Sequence, residues 1–396
     1  MVLTDADKAF RDDVRAFLQA SLSDELRRAG RRCSGIFADY PEGIAWHRIL
    51  AQKGWSAPRW PVEHGGTGWS PRQLYLFNRE LCEADAPPLA PMGTGMVGPV
   101  IIAFGTPEQQ QQRWLPGILS GQDYWAQGYS EPQSGSDLAS LQCKAVRDGD
   151  HYVINGTKIW TTHAQYAKRM FCLVRTASGG KPQQGISFLC FDLDTPGITI
   201  RPIISISGDH ELNQVFFDDV RVPADGLIGG ENQGWAIAKY LLQHERGNAW
   251  APQLRSRLRR LHEALDAAFA GDGTHDEAEH ARLRHALADA HCRIDAVEAL
   301  EMQALQAHER GEPPGIRPSM TKLLGTELRQ HITELGVAIA GHSSHLRVPM
   351  PECDALGIPE EAAFAMSAYL NDRAASIYAG TNEIQRNLIA ADILSR

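Results

Sequence analysis

The sequence predicts a multidomain α+β protein, helical at both ends with a sheet domain between, and three observations predict it. Residues 1–122 and 231–396 carry apolar positions at helical spacing, whereas residues 123–230 break into short runs rich in β-branched and aromatic side chains. Gly, Pro, Asp and Ser punctuate those short runs. At 396 residues the chain is also long enough for about two to three domains. These three ranges are the expected domains.

In the first domain, Thr4 is a candidate N-cap, and Phe10, Val14, Phe17, Leu18 and Leu22 follow at helical spacing. Thr106-Pro107-Glu108-Gln109 reads as a second helix start, with a cap, a proline at the first helical position and a glutamine placed for a capping box. In the middle domain, Tyr152–Ile154 and Thr157–Trp160 flank Asn155-Gly156, which predicts a hairpin turn there. Met170–Val174, Ile186–Phe191, Ile198–Ile200 and Val215–Phe217 are further strands of a mainly antiparallel sheet. Helices are expected again over about 235–270, 277–310 and 316–340, then a proline-bearing loop at about 341–359 and the last helices. No internal repeat is evident.

Composition bounds the function without naming it. The net charge of −9 gives no general attraction to nucleic acid or to an anionic membrane. No apolar run reaches the roughly 20 residues of a membrane span, and the first ten residues do not read as a secretory signal. Seven cysteines without C-x-x-C spacing argue against a disulfide framework or a zinc site, so the expected compartment is the cytoplasm.

Three conspicuous patterns carry no chemistry. Gly93-Thr94-Gly95-Met96-Val97-Gly98 matches a dinucleotide-binding string, but prolines precede and follow it where a strand and a helix are needed; it reads as a small-residue helix start. His280, His285 and His291 lack the spacing of a metal pair and read as solvated surface. Arg255, Arg257, Arg259 and Arg260 read as a wet helix face.

Three other constellations can hold a ligand. Gly128–Asp137 is a loop of glycines, serine hydroxyls and backbone N–H groups, suited to a carbonyl-rich or anionic ligand. Trp160-Thr161-Thr162 sets an indole beside two hydroxyls, as a planar heteroaromatic cofactor needs. Ile377–Arg386 is a glycine-containing turn opening a C-terminal helix, whose N-terminus favours phosphate.

Together, these motifs resemble the acyl-CoA dehydrogenase family of flavoproteins. The resemblance runs from Gly54-Trp55 and Pro61–Gly68, through Ser130-Glu131-Pro132 to Asp137, Ile154–Trp160 and Val215–Pro223, to Tyr378-x-Gly380-Thr381-x-x-Ile384-Gln385-Arg386. It implies an N-terminal helical domain, a middle β-domain and a C-terminal four-helix bundle. It implies FAD as cofactor, with Gln127, Tyr129, Ser130, Ser136, Trp160, Thr161, Thr162, Thr381 and Glu383 contacting it. Ser136, Arg246, Ala379 and Gly380 are implied to meet the acyl-CoA. The implied reaction removes an α-proton from the thioester while hydride leaves the β-carbon for flavin N5. Electrons then pass to an electron-transfer flavoprotein, and a homo- or hetero-oligomer, dimer or tetramer, is expected.

Two departures from the family pattern matter. Many members carry the catalytic base directly after the signature tyrosine; here Ala379 stands there, and a methyl group takes no proton. Other members carry it on the first helix of the C-terminal domain beside an arginine, and Glu245, eleven residues after Gly234 and followed by Arg246, matches that register. The resemblance therefore implies Glu245 as the base. The small Gly247 and Asn248 leave room for a branched or cyclic acyl chain. The sequence also lacks the Arg-x-x-Phe-Gly and Gln-x-x-Gly-Gly motifs that usually reach a partner's FAD; Val337–His342 stands where the second belongs. Two alternatives follow: a non-catalytic or half-site subunit of a hetero-oligomer, and a flavin oxidase or monooxygenase on the same scaffold.

Overall fold

The computed structural model describes residues 3–245, 249–269, 276–313, 315–345 and 360–395, and of residues 243–245 and 360 the backbone alone. The chain forms two compact units, one of residues 43–68 and 89–245, the other of residues 1–42, 69–88 and 246–396.

The first unit is built on a seven-stranded, curled sheet: β1 (Trp125–Gly128), β2 (Lys144–Asp148), β3 (His151–Lys158), β4 (Arg169–Arg175), β5 (Ile186–Asp192), β6 (Ile198–Ile203) and β7 (Leu212–Pro223). The order is β1-β4-β2-β3-β7-β6, with β5 on β4. Pairing is antiparallel except where β1 and the start of β2 run parallel to β4. Tyr152, Ile154, Phe191, Val215, Phe217 and Val220 fill its core, each worth roughly 1.5–3 kcal/mol on burial.

The expected Asn155-Gly156 turn is not there. The hairpin joins β2 to β3 at Gly149, which has φ +62°. Asn155-Gly156 lies inside β3, opposite a bulge of β7 at Asp218-Asp219. Asn155 Nδ2 donates to Asp219 Oδ1 and Asn155 Oδ1 accepts the Asp219 N–H, both at 2.9 Å. At Gly156 a Cβ would fall 2.8 Å from the Cys143 Cα, so close backbone approach selects the glycine. The bulge resets side-chain parity: β7 alternates inward through Val215 and Phe217, breaks at Asp218-Asp219 and resumes at Val220.

Helices complete this unit. Gly93–Gly98 is helical, a π-turn over Met92–Val97 running into a helix at Gly98–Phe104. A Cβ on Gly98 would lie 2.1 Å from the Trp60 ring, and Trp60 Nε1 donates to Thr94 O at 2.7 Å, so the glycine string serves packing. The Thr106–Gln109 capping box forms, and Gln109 Nε2 also reaches the carbonyls of Asp225 and Leu227 at 2.6 and 2.9 Å. A helix at Gly234–Glu245 starts where a Cβ on Gly234 would meet the Ser187 backbone at 2.6 Å, and it buries Ile237 and Leu241.

The second unit is helical. It includes Asp5–Ser21, whose Thr4 cap forms a capping box with Asp7, then Pro71–Glu83, Ala251–Ala268, Glu277–Glu309, Arg317–Ala340, Glu360–Asp372 and Asn382–Leu394. Leu254, Leu258, Leu287, Ile294, Leu328 and Ile332 form its core. The arginine run is not a wet face. Arg255 pairs with Asp295 and Glu298, Arg257 with the fully buried Asp372, and Arg259 and Arg260 with Asp85. His280 is half-buried and stacks on Phe269 with centroids 4.5 Å apart, while His285 and His291 are exposed.

Among the described residues no helix is long and apolar enough to cross a membrane, no three acidic, His or Cys side chains could hold a metal, and six cysteines are free.

Candidate functional site

The loop after β1 and the segment after β3 are joined backbone to backbone and side chain to side chain. Ile159 N donates to Ser130 O at 2.9 Å. Below that bond lies Lys158, the last residue of β3 and 0% exposed. Its ammonium donates to Tyr129 O at 3.0 Å and to Glu131 Oε1 at 2.8 Å. Glu131, 4% exposed, also accepts the N–H groups of Cys143 and Gln142 at 2.9 and 2.7 Å and the Gln133 amide at 2.8 Å. Burial alone would raise its carboxyl; Lys158 and the backbone donors hold it below the usual carboxylate range. Glu131 is therefore structural and is directed inward, away from any ligand.

One residue past this lock stands Trp160. Of nine tryptophans, all described, it alone is exposed, at 57%, and its backbone is left-handed at φ +59°. A bulky residue there costs roughly 1–3 kcal/mol, a strain that clusters at ligand sites. Gln127, Ser130 and Thr162 are half-buried, and Ser136 is exposed.

Two of the expected cofactor contacts have buried side chains. Thr161 is fully buried, its N–H donates to Asn213 O and its C=O accepts from Asn213, so it anchors the corner and its side chain faces the interior. Tyr129 is also buried, its ring edge-on to Phe171, and it serves through its main chain. What remains is an exposed aromatic face near the half-buried hydroxyl-bearing Ser130 and Thr162, a set that fits a flavin ring.

Glu245 is the last residue of the helix at Gly234–Glu245, within the same compact unit as Trp160. Its side chain lies outside what is described, as do Arg246, Gly247 and Asn248.

The C-terminal signature belongs to the helical unit. Ala379 and Gly380 are consecutively left-handed, at φ +55° and +78°. Thr381 caps the last helix by accepting the Ile384 N–H at 3.2 Å. Gln385, fully buried, donates to Gly380 O at 3.1 Å, and Asn382 accepts from the buried Lys322 at 2.8 Å. Glu383 is exposed, and hydrogen bonds to its own backbone N–H and to Thr381 keep its carboxyl low. The turn is thus rigid, and Ala379 offers a ligand its main chain only.

Comparison with known proteins agrees with this architecture. The models of the acyl-CoA dehydrogenase N-terminal, middle and C-terminal domains match residues 4–122, 126–220 and 232–394. Acyl-CoA dehydrogenase IpdE1 of Mycobacterium tuberculosis is 37% identical over 393 residues, covering 97% of this chain and 96% of its own length. Acyl-CoA dehydrogenase FadE26 of the same organism is 32% identical over 398 residues, covering 98% and 96%. Among solved structures, the Tcur3481-Tcur3483 steroid ACAD superposes with a TM-score of 0.85 at 29% identity, covering 100% of this chain and 98% of its own. The ChsE4-ChsE5 complex from Mycobacterium tuberculosis gives 0.83 at 29% identity, again covering 100% and 98%. The chain belongs to the acyl-CoA dehydrogenase family. It is an oxidoreductase of that flavoprotein class.

Sequence reasoning missed Lys158 and Glu131 as a pair. The available signal was a lysine ending an apolar strand on the same parity as the inward Tyr152 and Ile154, together with a glutamate in the loop that the strand end meets.

Proposed function

We propose that the chain catalyses FAD-dependent α,β-dehydrogenation of an acyl-CoA thioester, with electrons passing to an electron-transfer flavoprotein. The observation that carries this is the Trp160 corner: one exposed, strained indole next to Ile159, which is bonded to Ser130, and two residues before Thr162, on a sheet unit of this family. FAD, when bound, supplies the hydride acceptor. Trp160 stacks against it, Ser130, Gln127 and Thr162 bond its ring edge, and Thr381 and Glu383 serve its ribityl or phosphate region. Ser136 faces the CoA moiety. The Ala379 N–H, with Gly380 giving the turn its shape, polarises the thioester carbonyl. Glu245, beside Arg246, takes the α-proton, a step Ala379 cannot perform. Glu245→Gln keeps size and hydrogen bonding but removes basicity, so flavin reduction by substrate should slow by about 10²–10⁴-fold while the thioester still binds. Reduction at the wild-type rate would show that the base lies elsewhere.

A second reading has its own support. The adenine-side motifs are missing from the sequence, and two similar structures carry the names of two proteins each. On this reading a homologous sister chain completes the FAD site. Similarity to a steroid ACAD supports a fused-ring acyl group. FAD content measured on the chain alone and with a co-expressed sister separates the readings: a yellow, stable homo-oligomer removes the second.

A further inference from the structure

We propose that the buried Glu131–Lys158 ion pair is a positioning device for cofactor binding, setting the distance between the segments 127–136 and 160–162. The proposal rests on the reading of those segments as the flavin face.

The geometry ties one bond network to both. Lys158 grips Tyr129 O and Glu131 Oε1, so it fixes main chain and side chain on either side of Ser130. The adjacent Ile159 N–Ser130 O bond leaves Ser130 and Trp160 as the first residues beyond the lock. From the other end, Glu131 collects the N–H groups of Gln142 and Cys143, which close the loop, and its own N–H and C=O pair with Ser134. The Glu131 carboxylate and its four donors therefore join the two ends of the 129–143 loop to the end of β3. The other charged group acting on Glu131 is Arg175 of β4, whose guanidinium donates to the carbonyls of Ala139, Leu141, Pro182 and Gln184.

Stability alone does not call for such a pair. Desolvating two charges costs about what their attraction returns, and apolar replacements of similar volume are often neutral. What an ion pair with directional bonds provides, and a leucine–methionine contact does not, is a fixed register. In this corner the register sets Trp160 relative to Ser130.

The test compares Glu131→Leu/Lys158→Met and Glu131→Gln with wild type, on the full chain, with a partner subunit where FAD retention requires one. Two quantities are read: the melting temperature and the FAD affinity, with the visible circular dichroism of bound FAD. The expected result is at least a tenfold loss of FAD affinity and an altered flavin spectrum in the double variant, which still melts cooperatively. A smaller loss in the same direction is expected for Glu131→Gln. A purely structural pair would lower the melting temperature without moving affinity or spectrum, and that outcome overturns the proposal. Should the double variant not fold, Glu131→Gln decides; failure of both to fold assigns the pair to fold stability and also overturns it. Trp160→Ala, measured alongside, keeps the two readings apart. If it too leaves affinity and spectrum unchanged, the flavin face itself is misplaced. If it changes them while the pair variants do not, only the positioning role falls.

Discussion

Two buried glutamates, one in each unit, meet the same backbone chemistry and end in opposite states. Glu131 in the sheet unit accepts the N–H groups of Gln142 and Cys143; Glu301 in the helical unit, 8% exposed, accepts those of Trp250 and Ala251 at 2.5 and 3.2 Å. Glu131 lies below the usual carboxylate range, whereas burial pushes Glu301 up to about 7 against those same N–H bonds, with Glu298 adding to the rise. The difference is a cation. Lys158 sits on Glu131, while no cation is among the groups acting on Glu301, and Arg255 pairs instead with Glu298 and Asp295. Tyr75 and Cys82, from the helix at Pro71–Glu83, are the other titratable groups that feel Glu301, and neither supplies a positive charge. Two backbone donors thus do not offset the burial of a carboxylate; a full counter-charge does.

The comparison breaks most sharply if Lys158 is removed. Lys158→Met leaves Glu131 buried without its cation, which should cost about 3–5 kcal/mol in denaturant unfolding. A loss under about 1 kcal/mol would mean the cation is not what separates the two sites.

The next test uses pH. A carboxyl whose folded pKa is raised holds its proton more tightly folded than unfolded. Its contribution is complete below the unfolded value, near 4.5, and is lost as pH rises to about 7. Glu301→Gln should therefore gain on wild type by about 3 kcal/mol between pH 4.5 and 8, read from urea melts. Glu131→Gln should behave oppositely. The lowered pKa of Glu131 stabilises above the ordinary carboxylate value and that stability disappears as pH falls through the folded one, so the gap between variant and wild type closes in acid. Parallel pH profiles for the two variants would dissolve the contrast.

The smallest effect concerns the bulge of β7 that faces β3 two pairs before Lys158. Asn155→Ala removes the two exposed bonds to Asp219 that fasten the bulge, and should cost about 1 kcal/mol. A change of several kcal/mol would mean that the bulge contributes to the sheet on the scale of the buried ion pair.

What the sequence revealed was what is decided within a few residues. Thr4 with Asp7 and Thr106 with Gln109 form their capping boxes because cap and partner lie on one turn. The long apolar periods gave the three-part architecture for the same reason. Asn155-Gly156 misled because its conformation is set by Cys143 and Asp219, which only the sheet brings to it. The arginine run misled because Asp85 and Asp372 are distant in sequence. Thr161 and Tyr129 are legible as motif residues, whereas their burial depends on Asn213 and Phe171, which are distant in sequence.

The exposure of Trp160 gives the protein an optical reporter of its own. Trp46, Trp60, Trp114 and Trp125 are sealed in the interior, so a collisional quencher in the solvent reaches Trp160 before any of them. The unloaded chain should therefore show one readily quenched, red-shifted emission component. A ligand laid on that indole would remove it, and site occupancy could be followed without a label, a substrate or a turnover assay.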